Sequence, residues 1–137
     1  MVQLKRLLVI ALIPLLPGCA LVDAYLMAKY DTNEYALANA VKTKAELAQE
    51  QCANKQVVEQ KLVDVYASAV EFKNFTIYIP RNDDANKMAV KLATLTKDTK
   101  DYYTTHDKVS EAFCKMKLQQ IVKSSDAILE TLGKKPR

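Results

Sequence analysis

The chain has 137 residues and a mass of 15.4 kDa, one domain's worth of sequence, with half its residues apolar and 26% charged. Two glycines and four prolines are too few for the tight turns of a β-sandwich or barrel, for a glycine-rich phosphate loop or for a collagen-like repeat. A net charge of +4, from 20 basic and 16 acidic residues spread along the chain, is too small and too dispersed to point to nucleic acid.

The chain opens on Lys5 and Arg6, a short positive start. Leu7 to Leu16 follow without a single charge, and Pro17, Gly18 and Cys19 come next. A positive start, a short apolar run and small residues before a cut describe an export signal. The run is too short to span a bilayer, which takes about 20 apolar residues. Pro14 and Pro17 would also disturb a spanning helix.

Leu16-Pro17-Gly18-Cys19 resembles the lipobox of bacterial lipoproteins, which ends in Gly-Cys or Ala-Cys after an aliphatic residue. Leu16, Gly18 and Cys19 match it, while Pro17 stands where Ala, Ser or Thr is usual. The resemblance covers the processing signal alone. It implies that residues 1–18 are removed and that Cys19 carries a diacylglycerol on sulfur and an acyl chain on its new amine. By the same resemblance, Ala20 in place of Asp after the modified cysteine implies delivery to the periplasmic face of the outer membrane. Two or more acyl chains give stable attachment, at about 0.8 kcal/mol per buried CH₂.

Removing the first 18 of 137 residues leaves 119, with 18 basic residues against 16 acidic, and Gly133 as the last glycine. Cys52 and Cys114 remain as an even pair. In an oxidising compartment they can form one bridge. Closing a loop of roughly 60 residues constrains the unfolded chain by about 4 kcal/mol. The alternative is two separately buried thiols.

The resemblance makes residues 19–30 a lipidated, membrane-proximal segment, and they lack the Ser/Gly spacer that would hold a domain away from the membrane. Ala20 to Tyr30 suits a short interfacial helix with Tyr25 and Tyr30 at the headgroups, or a strand of chain packed on the core. Residues 31–133 carry the pattern of an all-α, three- to four-helix antiparallel bundle. The first helix starts at Asp31, with Glu34 completing a box-like cap. Its apolar face is Tyr35, Ala38, Val41, Ala45, Ala48 and Cys52. A second helix from about Asn54 is seamed by Val58, Leu62, Val65, Ala69 and Phe72.

A short irregular or extended segment is expected around 74–81, where Phe75, Ile77 and Ile79 alternate with Thr76 and Tyr78 before Pro80. This stretch, through Phe75, Ile77, Tyr78, Ile79 and Arg81, is the expected contact surface for a protein partner. A third helix starts at Asn82-Asp83-Asp84 and is seamed by Ala85, Met88, Leu92, Leu95, Thr99 and Tyr102. Thr104 and Asp107 can restart a fourth helix as a capping pair, or the two can run on as one rod. The last face is Cys114, Leu118, Ile121, Ser125, Ile128 and Leu132, ended by Gly133. Residues 134–137 read as a polar tail. A Cys52–Cys114 bridge would make the first and last helices neighbours.

Little in the sequence supports catalysis. His106 is the single histidine, and adjacent Asp107 points elsewhere, so it reads as an exposed residue at a helix junction. Two thiols and one histidine lack the close spacing of metal ligands, so no metal or cofactor is expected beyond the acyl groups on Cys19. Asp83-Asp84 sit where a helix dipole favours acids, and Asp98 and Asp101 lie among Lys97 and Lys100 on a solvated face. The expectation is a lipid-anchored, non-enzymatic accessory protein of the cell envelope with a protein partner and no nucleic acid. The alternative is a phage- or mobile-element-related envelope lipoprotein acting in superinfection exclusion or lysis, and after it an enzyme with a dispersed site or a lipid-binding bundle.

Overall fold

Four helices follow one another in a computed structural model that describes residues 26–137. Helix α1 spans Thr32–Gln49, α2 Lys55–Thr76, α3 Asp83–Thr105 and α4 Glu111–Gly133. The signal, Cys19 and the first part of the membrane-proximal segment lie outside the described residues. Among the described residues there is no strand, and no helix is long and apolar enough to cross a membrane.

Each helix packs on its neighbours in sequence, and α4 closes the ring against α1. The diagonal pairs α1–α3 and α2–α4 make no contact of note. Short connections between sequential neighbours make them antiparallel, so this is the up-down-up-down bundle. One end gathers the start of α1, the end of α2, the start of α3 and the end of α4; it is called the terminal end below. The distal end holds the α1–α2 and α3–α4 connections.

The local chemistry accounts for most of the boundaries. Asp31 accepts a hydrogen bond from the Glu34 amide at 2.9 Å, Asn54 from Val57 at 3.2 Å and Ser110 from Phe113 at 3.2 Å. Each satisfies one of the amides left unpaired at a helix start. The cap of α4 is therefore Ser110 and not the Thr104–Asp107 pair. Helix α3 stops at Thr105, and residues 106–110 separate it from α4, which excludes a continuous rod. Gly133 is the last residue of α4 and has no positive φ. It ends the helix in position but not through the left-handed conformation that makes glycine a common stop.

The core is the meeting of four stripes. Ala38, Val41, Ala45 and Ala48 of α1 are fully buried, as are Val58, Leu62, Val65, Ala69 and Phe72 of α2. Leu118, Ile121, Ile128 and Leu132 line α4. In α3 the buried seam is Ala85, Ala89, Leu92, Ala93, Thr96, Thr99 and Tyr103. Met88, Leu95 and Tyr102, expected on that seam, lie at its flank, half-buried. The seam turns toward the small side chains because they let α3 approach its neighbours closely. The buried hydroxyls of Thr96 and Ser125 are satisfied within their own helices, Thr96 donating to the Ala93 carbonyl at 2.9 Å and Ser125 to Ile121 at 2.9 Å.

At the distal end, Cys52 and Cys114 form a disulfide, with their Cα atoms 5.6 Å apart and the two residues 62 positions apart in sequence. It ties the α1–α2 connection to the first turn of α4, and α1 and α4 are the most extensively packed pair. Replacing Cys52 by Ser should remove about 4 kcal/mol of stability through the loosened unfolded chain. Urea unfolding would read that loss, and the gel-mobility shift seen on reducing the parent should vanish.

Tyr103 gives a second prediction. Its side chain is 1% exposed, and its hydroxyl finds no hydrogen-bond partner among the described residues. Burial pushes the phenol up to about 12 from its usual 10. The unfolded chain then ionises first, so this residue's contribution is complete below pH 10 and is lost as pH rises toward 12. Tyr103→Phe should flatten that alkaline loss. It should also stabilise the fold at neutral pH by about 1 kcal/mol, because an unpaired buried hydroxyl disappears. Thermal melts of both proteins across pH 8 to 12 would show it.

Candidate contact face at the terminal end

At the terminal end the four apolar stripes finish on polar residues, and those residues meet. Glu34 stands four positions before Ala38 on α1, and Lys135 three positions after Leu132 beyond α4. Thr76 lies four positions after Phe72 on α2, and Asn82 three before Ala85 on α3. All four are buried, Glu34 completely.

The Lys135 ammonium donates to Glu34 Oε2 at 2.5 Å and to Asn82 Oδ1 at 2.6 Å. The Asn82 amide donates to Glu34 Oε1 at 2.6 Å and, more weakly, to the Thr76 carbonyl at 3.4 Å. Asn86 donates to the Thr76 hydroxyl at 2.9 Å, and that hydroxyl donates to the Lys73 carbonyl at 2.7 Å. Each carboxylate oxygen of Glu34 has one donor. Asn82 starts α3 without capping it by its side chain, because the Oδ1 atom that a cap would use accepts from Lys135. Glu34 likewise does not reach back to complete a capping box.

The tail is part of this layer, which corrects its reading as a polar tail. Lys135 is buried, the Tyr30 amide donates to the Pro136 carbonyl at 2.8 Å, and the Arg137 guanidinium lies 5.8 Å from the Tyr30 ring centroid. Tyr30 also sits 6.0 Å from the ring of Tyr35. Ala28 is buried. Residues 28–30 therefore pack on the bundle, and Tyr30 does not lie free at a lipid interface. Leu26 and Met27 remain exposed.

The 74–81 segment is helical for its first part. Helix α2 continues through Thr76, and a run of turns covers 77–81. The extended conformation suggested by alternation does not form, because Phe75 and Thr76 gain more by extending the helix than a lone strand with no partner could. The expected contact residues divide accordingly. Ile77 is 60% exposed and Tyr78 85% exposed, while Phe75 and Ile79 are half-buried. Arg81 is exposed, with φ at 60°, the left-handed conformation that reverses the chain and directs Asn82 inward. Leu26, Met27, Arg81 and Lys87 border one open depression of about 440 Å³, so the lead-in adjoins the α2–α3 turn.

The other candidate groups do not converge. His106 is exposed, its Nδ1 2.9 Å from the Tyr102 carbonyl and its ring stacked on Tyr102 at 3.9 Å between centroids. It finishes α3. Asp101 is flanked by the ammonium groups of Lys100 at 2.7 Å and Lys97 at 2.5 Å, which hold its carboxyl below the ordinary range. Asp84 faces Lys87 at 3.5 Å. Both cysteines of the described chain are consumed by the disulfide. Among the described residues no three His, Cys, Asp or Glu side chains gather as a metal site would require. No family model, curated protein or solved structure matches the chain.

The buried pair sets a sharp expectation. Lys135→Ala leaves the Glu34 carboxylate buried without its cation, which costs about 3–5 kcal/mol. The double replacement Glu34→Gln with Lys135→Met removes both charges and should recover most of that loss. Denaturant midpoints of the single and double variants would measure the coupling; equal loss in both would show that packing of the tail, and not charge, matters.

Proposed function

We propose that the protein is a lipid-anchored, non-enzymatic accessory protein of the bacterial cell envelope. Acylated Cys19 holds it at the periplasmic face of the outer membrane, where it binds an envelope protein. The observation that carries this reading is the Cys52–Cys114 disulfide beside the lipobox-like signal. Bridged cysteines belong to oxidising compartments, and the signal is an address to one. The bridge also takes up both thiols as potential nucleophiles. The lone histidine serves as the end of a helix.

The geometry supports a fixed orientation for such an anchored body. The lead-in from Cys19 joins the bundle at the terminal end and is tied there by the Tyr30–Pro136 hydrogen bond. The distal end and the helix sides are then turned toward the periplasm, where a protein partner would meet them. Action against phage through exclusion or lysis would use the same anchor and the same orientation.

Cys19→Ala should abolish labelling by radioactive palmitate and move the protein from the membrane to the soluble envelope fraction. Membrane retention of the unlabelled variant would defeat the anchor. Crosslinking in intact cells followed by isolation should recover one envelope protein with the parent and less of it with Cys19→Ala. Recovery of no specific protein under several growth conditions would count against the accessory role.

A further inference from the structure

The exposed apolar side chains are unevenly placed. Leu47, Val63, Val90 and Met116 are exposed one to each helix, the ordinary scatter of a soluble surface. The other four large exposed hydrophobic residues among those described are Leu26, Met27, Ile77 and Tyr78, and all belong to the terminal end. The distal connections, 50–54 and 106–110, expose no large apolar side chain. The terminal end is thus tipped with hydrocarbon and a phenol, whereas the distal connections are polar and charged, with Leu47 and Met116 exposed on the helix sides next to them.

The terminal end is also where the chain leads back to Cys19. From Cys19 to Leu26 is seven residue steps, and an extended chain covers at most about 3.6 Å per residue. The end face therefore lies within about 25 Å of the acylated sulfur even with that segment fully stretched. Any slack in the chain brings it nearer. Residues 20–25 are apolar apart from Asp23 and the Tyr25 hydroxyl, and include no flexible spacer.

We propose that the terminal end of the bundle rests on the same lipid surface that holds Cys19, with Ile77 and Tyr78 entering the headgroup region beside Leu26 and Met27. This rests on the lipid anchor proposed above and deepens it, naming the bilayer as the occupant of the surface at Phe75 to Arg81. Tyrosine suits the headgroup level, where its ring meets hydrocarbon and its hydroxyl meets water. Ile77 offers a short hydrocarbon side chain beside it. Lys29, Lys134 and Arg137 at the same end can extend their charges toward phosphates while their stems cover apolar surface. Asp31, Asp83, Asp84 and Glu130 balance them. Apolar contact, and not net charge, is then the main attraction, and docking should tolerate salt.

The chain contains no tryptophan, so Tyr78→Trp introduces a sole indole reporter at an 85%-exposed position. Leu47→Trp places the same reporter near the distal end as a control. Each full-length protein, purified from membranes with its acyl groups, would be reconstituted in phosphatidylethanolamine–phosphatidylglycerol vesicles. Matching vesicles would carry brominated acyl chains, and flotation would report attachment separately.

The expected result is that both proteins float. The emission of Tyr78→Trp should shift to the blue and lose most of its intensity to the brominated chains, in low and high salt alike. Leu47→Trp should do neither. If both float but the two reporters behave alike, the anchor stands and the docking is overturned. If neither floats, the anchor fails and the docking with it. A blue shift of Tyr78→Trp in native envelope vesicles but not in pure lipid would assign the face to a protein and overturn the lipid contact. Concentration-dependent emission without lipid would assign it to a second copy of this chain.

Discussion

A buried carboxylate and a buried ammonium, at opposite ends of the described chain, can exist in this bundle only together. Glu34 sits three residues into α1 and Lys135 two residues past α4, yet both are buried, Glu34 completely. Stripping either charge of water alone would cost several kcal/mol. Their contact, with Asn82 bridging them, brings the start of α1, the end of α4 and the α2–α3 turn to one place. Apolar stripes of Ala, Val and Leu tolerate sliding by a helical turn with little loss. Sliding one helix against this layer strands a charge. The layer therefore fixes register, a role buried polar groups are known to serve in helical assemblies.

The distal end is closed by different chemistry. The disulfide secures α1 to α4 covalently where no buried ion pair exists, and those two helices, first and last in the chain, pay the greatest loop-closure cost to meet. One seam is thus held at both ends, by a covalent bond at one and by ionic hydrogen bonds at the other. The α3–α4 seam, which has no covalent tie and only the Lys135–Asn82 hydrogen bond at its terminal end, is the least extensive contact in the ring. Near the distal end Tyr102 lies between His106, on which it stacks, and Phe113, which it meets at a tilt across this seam, an aromatic filling where small residues would leave a gap.

Much of the fold was legible because the bundle's core obeys a 3.6-residue period and little else. Val58, Leu62, Val65, Ala69 and Phe72 follow that period and are buried as expected. The pairing of Cys52 with Cys114 was legible for a related reason, since both lie on stripes of helices that can be neighbours. The polar layer was not. Glu34 fits a capping box by spacing, and Lys135 fits a basic tail by composition. Both local patterns are sound descriptions of helix ends in isolation. The overlooked signal was that each extends an apolar stripe by one more turn, on two helices the cysteines had already placed side by side. Residues of opposite charge at the ends of adjoining stripes satisfy each other across the fold, an interaction no single segment contains. In α3, that Tyr103 and Ala89 and not Tyr102 and Met88 face the core depends on how closely the helix approaches its neighbours, again a property of the pair and not of the segment.

The same layer explains why the terminal face is apolar on its outside. Successive residues of a helix turn by about 100°, so once Thr76 points inward to accept from Asn86, Ile77 must leave the core and Tyr78 must point nearly opposite. A strand would have put Thr76 and Tyr78 on one side and buried Ile77. Helix geometry, carried through Thr76 by the hydrogen bonds of its hydroxyl, thus turns an apolar pair outward. Phe75 and Ile79 stay half-buried beside them. A fold that seals its core with charge and hydrogen bonds at this end has no interior volume left there for isoleucine and tyrosine. Their exposure is the complement of a closed core, and it falls on the side from which the chain returns toward Cys19.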